Sequence, residues 1–211
     1  MMDTTPFEIH CEHLSRRFNY EWIFREFNFT FQAGHAYAIL GPNGSGKSTL
    51  LQTITGFLHP TTGSLQWKQA GSAVSPDKIY RHFSLAAPYL ELIEEFTLEE
   101  TIRFYTRFKP LVAGMGADAL CSRIGLQKQA DKQIRYFSSG MKQRLKLALA
   151  IYSEEPVLVL DEPVSNLDEE GVAWYQELIG ELTGHKLVLV GSNNPREYAF
   201  CDQQLRLTDF K

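Results

Sequence analysis

Short apolar runs, broken by polar residues and glycine, set the rhythm of the chain. Ala36 to Leu40, Val157 to Leu160 and Leu187 to Val190 are too short for core helices, and two of the three are rich in β-branched residues. Such runs predict buried parallel strands. Each lies beside a stretch of helical periodicity: residues 47–55 after the first, 140–153 before the second, and 170–182 before the third. Strand and helix alternating in this way predicts an α/β sheet with its ligand at the carboxyl ends of the strands. Residues 7–13 and 26–32 read differently. Alternating aromatics at Phe27, Phe29 and Phe31, with Gly34 as a turn, predict half-buried antiparallel strands and therefore a mixed sheet rather than a purely parallel one. From Thr97 to Gln133 the pattern is helical, with helices expected over 98–108 and 117–124. Thr97 followed by Glu100 is a capping box for the first of them. The expected organisation is one domain, residues 1–211, with a core of 1–86 and 155–211 around a helical insert of about 87–154.

Composition narrows the class. Of the 211 residues 44% are hydrophobic and 22% charged, which fits an ordinary globular chain rather than a disordered one. Lys and Arg total 21 against 25 Asp and Glu, and no basic run occurs, so nucleic acid is not an expected partner. Cys11, Cys121 and Cys201 are widely spaced and lack C-x-x-C pairing, which predicts reduced thiols without a zinc or redox role. The opening MMDTTPFEIHCEH carries no basic leader before an apolar stretch, and no apolar run approaches the ~20 residues a membrane span needs.

The chemistry begins at GPNGSGKST, Gly41 to Thr49, which fits G-x-x-x-x-G-K-[ST] between a strand and a helix. Glycines 41, 44 and 46 let the backbone N–H groups of Asn43 to Ser48 (Asn43, Gly44, Ser45, Gly46, Lys47, Ser48) turn inward as an anion nest. The helix N-terminus adds positive potential, Lys47 reaches the outer phosphates, and Ser48 offers its hydroxyl to Mg²⁺. The second signal is VLVLDEP, Val157 to Pro163. A hydrophobic strand ending in two carboxylates places Asp161 to hold Mg²⁺ through water and Glu162 to orient or deprotonate the attacking water.

With these motifs in place, nearly the whole chain resembles the ATP-binding cassette (ABC) family. The resemblance implies a P-loop NTPase core with a mixed sheet, an N-terminal antiparallel β subdomain and an α-helical insert. FSSGMKQRL, from Phe137, resembles the family signature usually written LSGGQ: Ser138 and Gly140 match, while Ser139 and Met141 depart. In the family the signature's Ser and Gly, here Ser138 and Gly140, bind the γ-phosphate of ATP held by an opposite subunit, so a dimer with a second cassette, identical or different, is implied. SNLD, Ser165 to Asp168, resembles the loop in which Asp168 would couple the two ATP sites. LSRRFN, residues 14–19, resembles the segment bearing an aromatic stacked on adenine, with Phe18 the candidate; a core Phe is the alternative reading.

Two polar groups of the family are missing. The position of its Gln before the insert is about Ala87, and no Gln occurs from Ala70 to Leu126. Its His after the last core strand is replaced by Ser192 or Asn193, and no His follows His185. Losing one donor to a transition-state oxyanion typically costs on the order of 10²–10³ in rate, so slow ATP hydrolysis is expected. An Asn193 amide can donate to a phosphate oxygen but carries no charge. The resemblance implies a transporter subunit on the inner face of the cell membrane, held there by a separate permease that the acidic and aromatic stretch LELIEEFTLEETIRFYTRF would dock. Its brevity and this stretch are similar to the ATPase of the haem exporter of cytochrome c maturation and to other small export ATPases. A soluble cassette without a permease, of the iron–sulfur assembly type, is the alternative.

Overall fold

The computed structural model describes residues 7–182 and 186–211. Residues 1–6, part of the stretch read as lacking a leader, and residues 183–185, which include His185, lie outside it. The amino-terminal segment builds a hairpin of β1 (Phe7–Phe18) and β2 (Glu21–Gln32), after which the Gly34 turn leads into β3 (Ala36–Leu40). Helix α1 (Lys47–Ile54) follows, then β4 (Thr62–Gln69), β5 (Ser72–Ala73) and β6 (Phe83–Ala86). The helices of the insert are α2 (Leu98–Thr106) and α3 (Ala117–Arg123). The chain ends with α4 (Ser139–Ile151), β7 (Val157–Asp161), α5 (Glu169–Leu182), β8 (Leu187–Ser192), α6 (Pro195–Tyr198) and β9 (Gln203–Arg206).

Both strand senses expected of the mixed sheet are present, but they lie in two separate sheets rather than in one. One is antiparallel, in the order β2-β1-β4-β5; the other is parallel, in the order β6-β7-β8-β3-β9. The division follows from connectivity: a tight turn makes β1 and β2 antiparallel neighbours, whereas each core strand returns only after a helical crossover.

Period-two alternation in the central strands explains why their sequences are apolar throughout. Val157, Val159, Leu187 and Leu189 face the layer formed by Leu50, Leu51 and Ile54 of α1 and the aromatics Phe7, Phe24, Phe27, Phe31 and Trp67 of the antiparallel sheet. Leu158, Leu160, Val188 and Val190 face the opposite layer, with Leu145 and Leu149 of α4 and Tyr175, Leu178 and Ile179 of α5. Both faces of β7 and β8 are covered, and each fully buried side chain is worth about 1.5–3 kcal/mol. The expected alternation in β2 holds, with Phe27 and Phe31 buried and Phe29 half-buried beside them. Thr97 caps α2 as a full capping box: its hydroxyl accepts from Glu100 N and the Glu100 carboxylate accepts from Thr97 N. Among the described residues no helix is long and apolar enough to cross a membrane.

Candidate functional site

Strand β3 delivers the chain into the loop Gly41 to Gly46, and α1 begins at Lys47. Gly46 caps this helix with φ of 105°, and a Cβ there would lie 2.3 Å from Ile23 Cγ2, so only glycine fits. Gly44 is likewise left-handed at φ 76°. Lys47 is 4% exposed, and its ammonium is folded over the loop, donating to Gly41 O at 2.9 Å and Pro42 O at 3.2 Å. One part of the expected nest is corrected. Ser45 N–H donates to Pro42 O at 3.0 Å and closes a turn within the loop, so it does not belong to an inward-facing set.

Strand β7 runs past its apolar stretch and buries the first of the two acids at its end. Asp161 is 1% exposed, and among the described residues neither of its carboxylate oxygens has a partner in full hydrogen-bond geometry, the Ser48 hydroxyl offering only a weaker contact. Burial pushes its pKa up to about 6, with Glu162 adding to the effect and the Ser48 hydroxyl and Lys47 opposing it. A buried pair of anionic oxygens without full hydrogen bonds, beside a serine hydroxyl, is a donor set that fits a hard divalent cation such as Mg²⁺. Glu162 turns into the left-handed region at φ 45°, and its N–H donates to Gly191 O at 2.9 Å. With Gly44, Gly46, Lys47, Ser48, Thr49 and Ile23 it lines a groove of about 180 Å³.

The end of β8 decides between the two neighbours left open by the sequence. Ser192 is fully buried and its hydroxyl points back to the Glu197 carboxylate, whereas Asn193 is exposed and its Nδ2 donates to Asn43 Oδ1 at 2.8 Å. Asn193 therefore lies against the phosphate-type loop and Ser192 does not. Ala87 is fully buried and supplies only its carbonyl, which accepts from Lys146 Nζ at 3.2 Å.

The remaining expected residues lie elsewhere. Ser138 caps α4, its hydroxyl accepting from Met141 N at 3.2 Å, and Gly140 packs so closely on the following loop that a Cβ would sit 3.2 Å from Asn166 O. Asp168 Oδ1 accepts from Gly171 N at 2.8 Å and so caps the start of α5. Ser138, Gly140 and Asp168 line a second groove of about 380 Å³, which shares no residue with the first. Phe18 is 43% exposed, with the Arg16 guanidinium 4.6 Å from its ring centre, so the core reading of this residue is set aside. Two neighbours of the site escaped the sequence reading. Ile23 is one apolar residue among many in β2, and Glu197 follows no motif; neither carries a signal that local pattern can detect.

The segment expected to dock a permease borders a further groove of about 440 Å³, formed by Pro88, Leu90, Glu91, Leu92 and Glu94 with Lys142 and Lys146 of α4. Its charge is not simply acidic, as its sequence suggested. Lys142 Nζ lies 2.6 Å from Glu94 Oε1, because α4 presents two lysines to the same cleft.

The chain is similar to several known proteins. The family model described as ABC transporter matches residues 24–165. The chain is 27% identical over 198 residues to the uncharacterized ABC transporter ATP-binding protein YybJ of Bacillus subtilis (strain 168), covering 92% of this chain and 90% of that protein. It is 31% identical over 162 residues to the cytochrome c biogenesis ATP-binding export protein CcmA of Paramagnetospirillum magneticum (strain ATCC 700264 / AMB-1), covering 75% of each. Among solved structures it is similar in fold to MJ0796, a bacterial ABC transporter cassette solved as a dimer. The TM-score is 0.78 at 22% identity, covering 94% of both chains.

Proposed function

The chain belongs to the ABC transporter family, and from that premise we propose that it is an ATP-hydrolysing subunit that closes on a second cassette around two ATP and drives a separate permease. The observation that carries the reading is the meeting of Asp161 and Glu162, at the end of β7, with the Lys47 loop. Lys47 binds the outer phosphates once it leaves its two carbonyl partners, and Phe18 stacks on the adenine. Ser48 and Asp161 hold Mg²⁺, which when bound neutralises charge on the phosphates. Glu162 orients the attacking water, and Asn193 touches the γ-phosphate from the far side of the loop.

Several features support a dimer. The first groove, at about 180 Å³, is smaller than the roughly 300–1,000 Å³ of pockets that enclose a ligand. The Ser138 and Gly140 groove lies apart from it, as the two halves of a site shared between subunits would. Export is favoured over a cassette without a permease by the likeness to an export protein and by the balanced, partly apolar groove along residues 88–94. A coupling segment of the permease occupies that groove.

Turnover is slow in this reading, because Ala87 offers no side-chain donor and Asn193 no charge. A steady-state phosphate-release assay tests the hydrolytic claim. Native protein turns over Mg–ATP, and Glu162→Gln lowers the rate by about a hundredfold or more. Equal rates for the two proteins would end the claim.

A further inference from the structure

One buried acid has no part in the reading above. Glu197 lies in α6, just past the loop bearing Asn193, and is 4% exposed. Its two carboxylate oxygens serve two different loops. Oε1 accepts the N–H of Val164 at 2.9 Å, two residues beyond Glu162, and Oε2 meets the hydroxyl of Ser192, the residue before Asn193. The Ser192 oxygen accepts in turn from Asn194 N at 2.8 Å, so both residues flanking Asn193 are tied to this carboxylate. The α6 turn that carries it is itself anchored. The Tyr175 hydroxyl donates to Glu197 O at 2.8 Å, and Arg196 contacts both carboxylate oxygens of Glu169 at 2.8 Å.

Burial disfavours charge on Glu197, with Glu162 and Asp161 acting in the same direction and the bonds from Ser192 and Val164 in the other. A carboxylate placed where its neighbours oppose it, yet bonded to two separate loops, suits a specifying contact better than a stabilising one. We infer that Glu197 is a positioning residue for hydrolysis: it clamps the Glu162 loop to the Asn193 loop, so that the water-orienting carboxylate and the phosphate-facing amide hold one separation. The inference rests on the hydrolytic reading of the site.

The test compares Glu197→Gln, Glu197→Asp and Glu197→Ala in phosphate release and, separately, in equilibrium affinity for a magnesium–ATP analogue. Gln keeps the reach: its carbonyl accepts from Val164 and its amide donates to Ser192, whose hydroxyl retains Asn194 O at 3.3 Å as acceptor. Its kcat stays within about twofold of native. Asp keeps the charge but is one methylene too short to span both loops, so kcat falls by roughly ten- to a hundredfold. Affinity falls by at most roughly fivefold, since the Lys47 loop and Asp161 are untouched and the Asn193 contact is a single neutral hydrogen bond. Ala follows Asp; should it fail to fold, the Gln and Asp pair decides alone. An Asp variant with native kcat overturns the clamp while leaving hydrolysis intact. A parallel fall of kcat, affinity and Tm in the Asp variant overturns it as well, because general loosening would do that. A native protein that releases no phosphate refutes the hydrolytic reading, and the clamp with it.

Discussion

Asp161 is the site acid whose environment burial changes most clearly. Its pKa of about 6, against 3.8 for an ordinary aspartate, means that between these two pH values the nucleotide-free native state holds a proton the unfolded chain has released. The stabilising effect of that proton is fully present below about pH 3.8 and is lost as pH rises through about 6. Removing the charge altogether therefore helps only at higher pH. Asp161→Asn is expected to stabilise the nucleotide-free protein by on the order of 2–3 kcal/mol at pH 7.5 and by little near pH 4. Denaturant unfolding at the two pH values measures this, and a variant less stable than native at pH 7.5 would contradict it. The acid itself was legible, as the end of an apolar run beside a phosphate-type loop. Which of Ser192 and Asn193 faces that loop was not. Neighbours at a strand end point to opposite sides, and the side is fixed by Glu197, a contact that appears only when α6 packs back on β8.

At the scale of elements, the segments found by pattern are those with an unbroken apolar run, a regular alternation or a cap. The strands β3, β7 and β8 are buried over nearly every residue, and α2 announces its start through its cap. The strands β4, β5, β6 and β9 were missed: β6, though buried, is a four-residue segment, not apolar throughout, that is too short to stand out, and the others fail for the converse reason. Both β4 and β9 have most of their residues exposed, and neither leaves a hydrophobic run to detect. Helix α6 is four residues long and is held by tertiary bonds rather than propensity. The capping box offers a test independent of the chemistry. Thr97→Ala removes the acceptor for Glu100 N and should cost about 1 kcal/mol, seen as a lowered Tm with nucleotide affinity unchanged. An unchanged Tm would mean that α2 is fixed by packing alone.

For the whole molecule, the informative feature is that two candidate site grooves on one chain share no lining residue. The sequence could suggest this separation of the Lys47 groove from the Ser138 groove only through family resemblance, since spacing along a chain says nothing of which face a loop joins. If each completes the other across a dimer, blocking hydrolysis should trap the closed pair. In sedimentation, Glu162→Gln with Mg–ATP is expected to double in mass relative to the nucleotide-free protein; a monomer at saturating nucleotide would show that this chain does not close on its own copy. Beneath that assembly lies the claim that the loop around Lys47, with Ser48 and Asp161, cradles a magnesium-bound triphosphate. Calorimetric titration of the native protein and of Lys47→Ala with a non-hydrolysable magnesium–ATP analogue tests it most directly. Saturable binding by the native protein, weakened at least about tenfold in the variant, is the predicted result. No saturable binding, or equal binding by both proteins, would contradict it.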